Sequence, residues 1–411
     1  MKQFANLLLM VKGTIWVINQ FAGTPVSGWG ERHFYFAKYW KASGYDVKII
    51  SGSYNHMFTQ LPDVKGLYAH EVYEGIDFYW VKTPRYNPQS VKRFLSMLLF
   101  AWNVLKLPVS ILGRPTTIII SSMPIFPIWS ALKLKKKYQS KVLFEIRDIW
   151  PLTLQLLGGY NASHPAVKFI AWFEKLGYRK SDAVVSLLPN AKEHVEEIAK
   201  QKVNFHYIPN GIEDSLLEPQ VAPETHIAAI PDNKFVIGYT GTLGLANALE
   251  YLVEAAEKLK EDTRFYFVIV GDGYLKDSLA AKSKTWGNIV FLPKIKKNQV
   301  QSILKYFDAC FVGRNDTPLF KHGVSANKYF DYMLSAKPIL DSNNLIKDPV
   351  ELSGCGLIVK PDSAGAIVEG ILKLYNMSEE ERNVMGLKGK DYVQQNHAIH
   401  HLANQYQQLF V

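Results

Sequence analysis

Residues 235–273 read FVIGYTGTLGLANALEYLVEAAEKLKEDTRFYFVIVGDG. In this stretch an apolar run at Phe235–Tyr239 passes through a glycine-rich turn into a helical pattern at Ala248–Lys260, and a second apolar run follows at Phe265–Val270. Short apolar runs bounded by turn residues predict buried strands, and a helix between two of them predicts that the strands are parallel. The stretch therefore indicates an α/β protein with a doubly wound parallel sheet.

The same alternation of strands and helices extends in both directions along the chain. In the first half, the predicted strands are Thr14–Asn19, Val47–Ser51, Phe78–Lys82, Thr117–Ser121, Val142–Ile146, Ala183–Leu187 and His206–Ile208. In the second half, the further predicted strands are Ile289–Phe291, Ala309–Val312, Ile339–Leu340 and Leu357–Val359. Helical patterns fill most of the gaps, including Glu31–Lys41, Ser90–Leu105, Ile128–Tyr138, Ala166–Arg179 and Ala191–Lys200.

A chain of 411 residues is too long for one ordinary core, so two domains are expected. The last strand of the first half stops in the turn Pro209-Asn210-Gly211, and the polar, proline-containing segment after it is typical of a linker. We predict a Rossmann-like N-terminal domain at residues 1–212, a linker at 213–233, a Rossmann-like C-terminal domain at 234–395 and a helix at 396–411 that packs back on the N-terminal domain. Ligands bind at the carboxyl ends of strands in such sheets, and two facing domains would form a cleft there.

Positive charge is concentrated in the first half of the chain. Residues 1–212 contain 26 Lys and Arg against 13 Asp and Glu, whereas residues 213–411 contain 21 against 24. A basic half suits nucleic acid, anionic lipid or a phosphate-bearing substrate. No apolar stretch approaches the roughly 20 residues of a spanning helix, so we expect no membrane crossing. Cys310 and Cys355 lack metal-ligand spacing and indicate core residues in a reducing compartment. Met10 is an alternative start to Met1.

One segment favours lipid among these partners. Residues 90–112 read SVKRFLSMLLFAWNVLKLPVSIL, in which basic residues flank large apolar ones on a helical pattern. Such a helix is typical of a membrane interface. In this interpretation the residues that contact the membrane are Lys92, Arg93, Phe94, Phe100 and Trp102. The alternative interpretation is a buried domain helix with solvated ends.

Glycine-rich turns after predicted strands are the first candidates for a substrate site. Gly28 and Gly30 lie between the first strand and the first helix, where backbone N–H groups can approach an anion. In the second domain, Gly241 and Thr242 lie in a turn with two further glycines that opens a helix, which suits a diphosphate. Gly271 and Gly273 repeat this arrangement after the next strand. A tight strand-to-helix turn without a ligand is the alternative at each place.

A fourth turn adds charged groups to these glycines. The stretch from Phe311 to Asp331 carries Arg314 directly after a strand, and Lys328 and Asp331 share one face of the helix that follows. We predict that Ser325 caps this helix. A lysine there can neutralise a phosphate while a carboxylate accepts from ribose hydroxyls. Lys328 and Asp331 can equally be a surface ion pair.

In the first domain, Glu145-Ile146-Arg147-Asp148 closes a buried strand with an unusual density of charge. Arg147 and Asp148 are candidate acid, base or binding groups. A structural Arg–Asp pair that braces the turn before Pro151 is the competing interpretation.

These motifs, in this order, resemble the family-four retaining glycosyltransferases of the GT-B fold, and among them the bacterial surface-polysaccharide branch related to the fucosamine transferases. The resemblance runs over nearly the whole chain. It rests on the early glycine loop, EIRDIWPLTL, the Ile-Pro-Asn-Gly turn, GYTGTLGLANALE, VGDG and SANKYFDYMLSAKPIL. It implies two Rossmann-like doubly wound domains that face each other across a cleft.

The resemblance also implies roles for particular residues. Family members have a Glu-x7-Glu pattern whose second glutamate holds the donor ribose, and Asp331 matches it with one methylene less. The first glutamate falls at Gly323, so its contact with the donor sugar is missing. Thr242 and Ala246–Asn247 stand near positions where relatives carry an Arg and a Lys, and Lys328 with Arg314 would take over phosphate neutralisation. Arg147 replaces a histidine that contacts the sugar in relatives.

The activity that the resemblance implies is hexosyltransferase-type transfer. A sugar, such as an N-acetylated deoxyhexosamine, would pass from a UDP-sugar to a polyprenyl-diphosphate-linked acceptor in O-antigen, capsule or other surface-polysaccharide synthesis. We expect catalytic roles for Asp148, Arg147 and Lys328, and donor contacts from Gly28, Gly30, Gly241, Thr242, Gly271, Gly273, Arg314, Ser325, Asn327, Lys328 and Asp331. No cofactor, metal or nucleic acid is expected.

Two further functions remain open at this stage. One is a non-catalytic module that binds nucleotide-sugar or lipid, and the other is a UDP-sugar epimerase of the same fold. In each case the expected location is the cytoplasm, on the inner face of the bacterial plasma membrane. A dehydrogenase is not expected, because no strand is followed by the dinucleotide fingerprint.

Overall fold

A computed structural model describes residues 11–87, 90–213 and 219–411 of the chain. The alternative start at Met10 lies outside the described residues. The chain forms two compact units, one comprising the residues up to Pro209 together with His400–Val411, and the other comprising Asn210–Ile399. Each unit is an α/β domain, which confirms the predicted fold class.

The first unit is built on an eight-stranded sheet with the order β3-β4-β2-β1-β5-β6-β7-β8. Its strands are β1 Thr14–Ile18, β2 Asp46–Gly52, β3 Tyr68–Tyr73, β4 Ile76–Val81, β5 Thr117–Ser121, β6 Lys141–Ile146, β7 Ala183–Ser186 and β8 Phe205–Tyr207. Neighbouring strands are parallel except in the hairpin of β3 with β4. The central strands β1 and β5 are almost entirely buried, which explains their continuous apolar sequences.

Helices cover this sheet and bury a large apolar core against it. They are α1 Arg32–Ala42, α2 Val91–Val104, α3 Val109–Leu112, α4 Pro127–Tyr138, α5 Leu152–Leu156, α6 Pro165–Lys180 and α7 Lys192–Ala199. The last helix of the chain, α16 at Ile399–Gln407, also contributes, since Trp40 Nε1 of α1 donates to Ala403 O at 3.0 Å. This contact agrees with the prediction that the C-terminal residues pack on the N-terminal domain.

The second unit is built on a six-stranded parallel sheet with the order β11-β10-β9-β12-β13-β14. Its strands are β9 Phe235–Thr242, β10 Phe265–Asp272, β11 Ile289–Leu292, β12 Ala309–Gly313, β13 Ile339–Ser342 and β14 Gly356–Val359. The order reverses between β9 and β12, and ligands of doubly wound sheets bind at such a switch point.

The helices of the second unit lie on both faces of its sheet. They are α8 Glu224–Ile227, α9 Leu249–Lys258, α10 Lys276–Lys282, α11 Val300–Leu304, α12 Asn327–Leu334, α13 Pro349–Ser353, α14 Ala364–Asn376 and α15 Glu379–His397, with short 3-10 helices at Leu245–Asn247, Lys297–Gln299 and Pro318–His322. Separate apolar clusters pack against the two faces, one including Tyr332 and Met333 of α12 and the other including Leu252 and Val253 of α9.

The sequence prediction missed β3. This edge strand, YAHEVY, has only half-buried and exposed residues, so it shows no apolar run. It pairs antiparallel with β4 through the turn Glu74-Gly75, both of which have positive φ. The signal that identified the other strands depends on burial, which an edge strand lacks.

The predicted linker at residues 213–233 differs from the structure. Residues 219–233 belong to the second unit and contain the short helix α8. Gln220 N donates to Asn298 O at 2.9 Å, and Ala222 N donates to Ser302 Oγ at 2.7 Å. The prolines and polar residues of 219–233 therefore belong to a segment that packs on the second unit, not to a free linker.

No helix among the described residues is long and apolar enough to cross a membrane. Cys310 and Cys355 are buried free thiols, as predicted.

Candidate functional site in the second unit

The two predicted glycine turns form the carboxyl ends of β9 and β10 themselves, since Gly241 and Thr242 are the last residues of β9 and Gly271 lies in β10. In the paired strands Gly241 lies opposite Gly271, and Thr242 lies opposite Asp272. A Cβ at Gly271 would stand 1.9 Å from Gly241 O, and a Cβ at Gly273 would stand 2.2 Å from Leu243 O. The predicted glycines are therefore required by close backbone approach, and they place backbone amides at the switch point of the sheet.

Lys328 of α12 lies beside the first of these glycine turns, at the end of β9. Its Nζ donates to Tyr239 Oη at 2.9 Å and to Asn247 Oδ1. Tyr239 Oη in turn donates to Thr242 O at 2.7 Å, and Asn247 Nδ2 donates to the same oxygen at 2.9 Å. The ammonium group also lies 4.4 Å from the centre of the Tyr239 ring. One network thus fixes Lys328 beside the turn that carries Gly241 and Thr242.

The electrostatic environment of Lys328 favours an anion. Burial holds the pKa of its ammonium group well below the ordinary value, and the nearby Arg314 lowers it further, while Asp341 opposes the shift. Burial and the neighbouring Asp348 raise the pKa of Asp341 well above its usual range, which favours the neutral carboxyl. Two basic groups consequently share this region without an equivalent negative charge, and a bound phosphate would favour the charged form of Lys328.

Arg314 follows β12, where the sequence predicted a phosphate contact. Its buried guanidinium lies 5.1 Å from the ring centre of Phe320 and 5.9 Å from that of Tyr329. The Nε atom has no hydrogen-bond acceptor among the described residues. A buried guanidinium N–H without an acceptor is costly, and a bound anion would remove that cost.

Asp331 lies on α12 three residues after Lys328, but it pairs with a different lysine. Lys297 Nζ forms a salt bridge with the largely buried Asp331 carboxylate. Gln301 Nε2 also donates to Asp331 O at 2.8 Å. The alternative of a surface pair between Lys328 and Asp331 is therefore wrong, since each side chain has a separate partner.

Two further predicted donor contacts, Ser325 and Asn327, lie near the start of α12. Ser325 was predicted to cap the helix, but the N-cap is Ala326, which makes no side-chain capping bond. Ser325 Oγ instead accepts from Asn210 N at 2.9 Å, and Asn210 Nδ2 donates to Ser325 O at 2.7 Å. The capping prediction is wrong because Ser325 anchors the Ile-Pro-Asn-Gly turn. Asn327 is exposed at the first turn of the helix, and its donor contact stays a prediction.

Gly323 stands where the family pattern has its first glutamate. This residue has a φ of 88°, in the region that strongly favours glycine. Its N–H donates to Phe320 O at 2.9 Å, closing the 3-10 helix at Pro318–His322. The backbone here is built for glycine, so the departure from the family pattern is structural and not a simple loss of one side chain.

Several members of the network were not singled out from the sequence. Tyr332 Oη accepts from Thr240 N at 2.8 Å and so ties α12 to β9. A usable signal existed, because Tyr332 lies four residues after Lys328 on the same helix face. Lys297 had no such signal, since 34 residues of chain separate it from Asp331.

Candidate residues in the first unit

The glycine loop of the first unit is a closed turn. Gly28 and Gly30 have φ values of 71° and 81°, and Gly23 N donates to Gly30 O at 3.1 Å. Thr24 and Ser27 exchange hydrogen bonds between each N–H and the other's hydroxyl, at 3.2 Å in both directions. This geometry satisfies the tight-turn interpretation, and donor contacts from Gly28 and Gly30 stay predictions.

A buried charge cluster surrounds Glu145 at the end of β6. Arg32 Nε lies 3.1 Å and His33 Nε2 3.0 Å from its carboxylate oxygens, and Ser121 Oγ donates at 2.8 Å. Tyr406 Oη of α16 donates to the same carboxylate. Burial would raise the pKa of Glu145, but Arg32 and His33 outweigh it and hold this pKa well below its usual range. The carboxylate therefore stays charged and joins α1, β5, β6 and the C-terminal helix.

Arg147 and Asp148 follow this cluster directly. Arg147 N donates to Ser122 Oγ at 3.1 Å. Burial lowers the pKa of Arg147, while the negative charges of Glu145 and Asp148 oppose this shift. Asp148 is exposed. The electrostatic link between Arg147 and Asp148 supports the bracing interpretation, and their catalytic roles stay predictions.

The predicted membrane residues of α2 divide into two groups. Phe100 is fully buried in the core, so its predicted membrane contact is wrong; the helical pattern did not reveal that this side chain faces the sheet. Phe94 is half-buried, with its ring 4.9 Å from that of Phe126. Lys92 is exposed, Arg93 is half-buried, and Trp102 keeps 53% of its surface exposed. Part of the helix is thus a domain helix, as the alternative interpretation held.

Comparisons with known proteins

Family comparisons cover most of both units. Residues 27–211 match the family described as glycosyl transferase 4-like domain, and residues 234–377 match the family described as glycosyl transferases group 1. Among curated proteins, the chain is 24% identical over 351 residues to the putative colanic acid biosynthesis glycosyl transferase WcaI of Escherichia coli. This alignment covers 80% of the chain and 84% of that protein.

Solved structures share the fold over nearly the full length. The sucrose-phosphate synthase of Thermosynechococcus elongatus matches with a TM-score of 0.73 and 16% identity, covering 97% of this chain and 98% of that one. HepE of Anabaena, in complex with UDP and glucose, matches with a TM-score of 0.66 and 11% identity over 96% and 98% of the two chains. The structural neighbours include GT-B glycosyltransferases such as the sucrose-phosphate synthase, so the predicted fold is confirmed. The chain is therefore a glycosyltransferase of the GT-B fold, with a glycosyl transferase 4-like domain followed by a group 1 domain.

Proposed function

We propose that this enzyme transfers a sugar from a UDP-sugar, with retention of anomeric configuration, to a lipid-diphosphate-linked acceptor in surface-polysaccharide synthesis. The observation that carries the donor assignment is the cationic region formed by Lys328 and Arg314 beside the turn of Gly241 and Thr242. UDP occurs in the structure of HepE, and colanic acid synthesis appears in the name of WcaI, which supports a polysaccharide role.

The reaction places its greatest electrostatic demand on the leaving group. Negative charge grows on the diphosphate as the anomeric bond breaks, and preorganised donors aimed at that position lower the barrier. Backbone amides of the two glycine turns, the Lys328 ammonium and the Arg314 guanidinium are donors of this kind. In the retaining reaction the departing phosphate takes the proton of the acceptor hydroxyl, so a separate base on the protein is not required.

Asp331 supplies the proposed contact with the ribose. A carboxylate can accept from two vicinal hydroxyls, and the salt bridge with Lys297 holds the Asp331 carboxylate in place. Lys297 would also lie close to the bound nucleoside. In this arrangement the diphosphate of the nucleotide lies at Lys328 and its ribose lies at Asp331, and both residues belong to α12.

The proposed acceptor is linked to a polyprenyl diphosphate, which places the enzyme peripherally on the inner face of a bacterial plasma membrane. The excess of Lys and Arg in the first half of the chain supports an anionic surface as its partner. We propose no metal or cofactor, because cations of the protein itself lie where the diphosphate charge develops.

A donor panel and a transfer assay test this function. Purified protein is mixed with UDP-, GDP- and ADP-sugars, and the melting temperature is recorded, because a ligand that binds the native state stabilises it. We expect UDP-sugars to raise the melting temperature most. Product is then sought with a short lipid-diphosphate sugar as acceptor, with and without EDTA.

The possible results separate the proposal from the two alternatives. Transfer that continues in EDTA supports a metal-independent glycosyltransferase. Interconversion of UDP-sugars without acceptor would instead identify an epimerase. Tight UDP-sugar binding without product, over a broad panel of lipid-linked acceptors, would indicate a non-catalytic binding module and contradict the proposed reaction.

A further inference from the structure

An apolar groove lies among α2, α4 and α6 of the first unit. Its cavity volume is about 320 Å³, within the range of about 300–1,000 Å³ that is typical of small-molecule pockets. The groove is lined by apolar side chains, including Leu98, Leu99, Trp102, Phe126, Trp129 and Phe173. It serves none of the donor contacts proposed above, which belong to the second unit.

Exposed aromatic residues continue the groove onto the surface. The rings of Trp102 and Trp129 stack at 5.9 Å with an angle of 12°, and Trp102 is 53% exposed. On α6, Phe169 and Trp172 keep 43% and 54% of their surfaces exposed. A concentration of exposed aromatics on neighbouring helices is typical of a surface that an apolar partner covers.

The three helices that line the groove carry mostly positive charge. The helices α2, α4 and α6 carry ten Lys and Arg residues but a single acidic residue, Glu174. Glu174 is buried, and Tyr178 Oη donates to it at 3.1 Å, so it does not offset the surface charge. Lys106 Nζ lies 5.8 Å from the Trp102 ring centre, and Lys133 Nζ lies 4.8 Å from that of Trp129. The exposed Trp102 and the half-buried Trp129 therefore each have an ammonium group beside them.

We propose that the groove takes up an acyl chain of an anionic phospholipid while Lys106 and Lys133 contact lipid phosphates. This inference rests on the proposed membrane location and identifies the surface responsible for it. Lysine beside tryptophan suits the interface between headgroups and chains, where both residue types are favoured. A soluble apolar ligand would account for the groove but not for the lysines.

A second copy of the chain is a poorer occupant. A symmetric contact through this face would bring Lys106 and Lys133 of one copy against the same face of the other, and exposed like charges repel. An anionic bilayer satisfies both features at once, since its phosphates match the lysines and its chains match the aromatic walls. The lipid surface is thus the occupant that charge complementarity favours.

Vesicle binding tests the charged rim of the groove. Sedimentation is measured with vesicles of phosphatidylglycerol and of phosphatidylcholine at one salt concentration. We expect the wild type to bind phosphatidylglycerol vesicles but not phosphatidylcholine vesicles. For the double variant Lys106→Glu with Lys133→Glu, the partition coefficient should fall by at least about tenfold. The matched control is Lys258→Glu with Lys260→Glu, which changes two exposed lysines of the second unit by the same charge and should bind as the wild type.

Acyl-chain quenching tests the groove itself. Vesicles with brominated acyl chains should quench tryptophan fluorescence of the wild type. In the triple variant Trp102→Phe with Trp129→Phe and Trp172→Phe the apolar wall is retained, so binding should persist while most of the quenching disappears. Unchanged quenching in this variant would show that other tryptophans meet the lipid and would overturn the assignment of the groove.

Further results would also overturn the inference. These are a wild type that fails to bind phosphatidylglycerol, equal binding by the rim variant, and a dimer in light scattering that the variant Trp102→Ser converts to a monomer. The proposed sugar transfer stands apart from them, because stabilisation by UDP-sugar is measured without vesicles. A missing UDP-sugar effect would count against the donor assignment and leave the vesicle results intact.

Discussion

The Lys328 ammonium donates to the Tyr239 hydroxyl at 2.9 Å, although 89 residues separate them in the chain. The Tyr239 hydroxyl in turn donates to Thr242 O, so the Lys328 side chain of α12 is held against the glycine-containing end of β9. Because burial lowers the pKa of Lys328 and Arg314 adds repulsion, this contact alone leaves the ammonium group in an unfavourable environment. A diphosphate in the turn would complete that environment.

Replacing Lys328 should affect transfer far more than folding. We expect Lys328→Met to lower kcat/KM by about 10²–10³, because it removes one preorganised donor to the leaving group. The melting temperature of the free protein should stay the same or rise, since a partly buried charge is removed. Initial rates and thermal unfolding measure the two effects, with Lys258→Met as the surface control. A variant with the wild-type rate would remove Lys328 from the site.

Binding of UDP should be coupled to proton uptake. The lowered pKa of Lys328 in the free protein means that raising the pH deprotonates it earlier than an ordinary lysine. A bound diphosphate favours the charged form and raises that pKa again, so affinity should weaken as the pH rises from the lowered pKa of the free protein toward the higher pKa of the complex. Calorimetry in two buffers of different ionisation enthalpy reports the protons taken up. Equal apparent enthalpies, or uptake that persists in Lys328→Met, would contradict this linkage.

Asp331 should bind the ribose hydroxyls of UDP. We expect Asp331→Asn to weaken UDP binding by about tenfold or more, because a charge-assisted hydrogen bond is lost. The wild type should prefer UDP to its 2′- and 3′-deoxy analogues, and the variant should bind UDP and the relevant analogue almost equally. Titration calorimetry with the three nucleotides measures this. Retained discrimination in Asp331→Asn would assign the ribose contact to another group.

Glu145 should stabilise the first unit without binding substrate. Glu145→Gln leaves Arg32 buried without its charged partner, and we expect a loss of about 3–5 kcal/mol in the free energy of unfolding. Since the folded-state pKa of Glu145 is lowered, its contribution is present above the unfolded carboxyl pKa and is lost as the pH falls toward the folded one. Denaturant unfolding at pH 7 and at pH 4 should therefore show a smaller difference between variant and wild type in acid. A pH-independent difference would argue against an ionised Glu145.

Much of the fold follows from burial patterns along the chain. The stretch 235–273 forms β9, α9 and β10 as predicted, because continuous apolar runs and a helical period each leave a local signature. The strand β3 escaped detection, since its exposed residues leave no apolar run. The packed segment at 219–233 was mistaken for a linker, because proline and polar residues occur both in linkers and in surface segments that pack on a domain.

The sequence by itself determined the glycines of the site and the nearness of Lys328 to Asp331 on one helix, because both depend on neighbours within a few residues. Only the tertiary structure decided the partners of these side chains. Lys328 binds Tyr239 and Asn247, Asp331 binds Lys297, and Ser325 binds Asn210 instead of capping α12. Each partner comes from a distant strand end or turn, and the parallel sheet brings such ends to one edge whatever their separation in the chain.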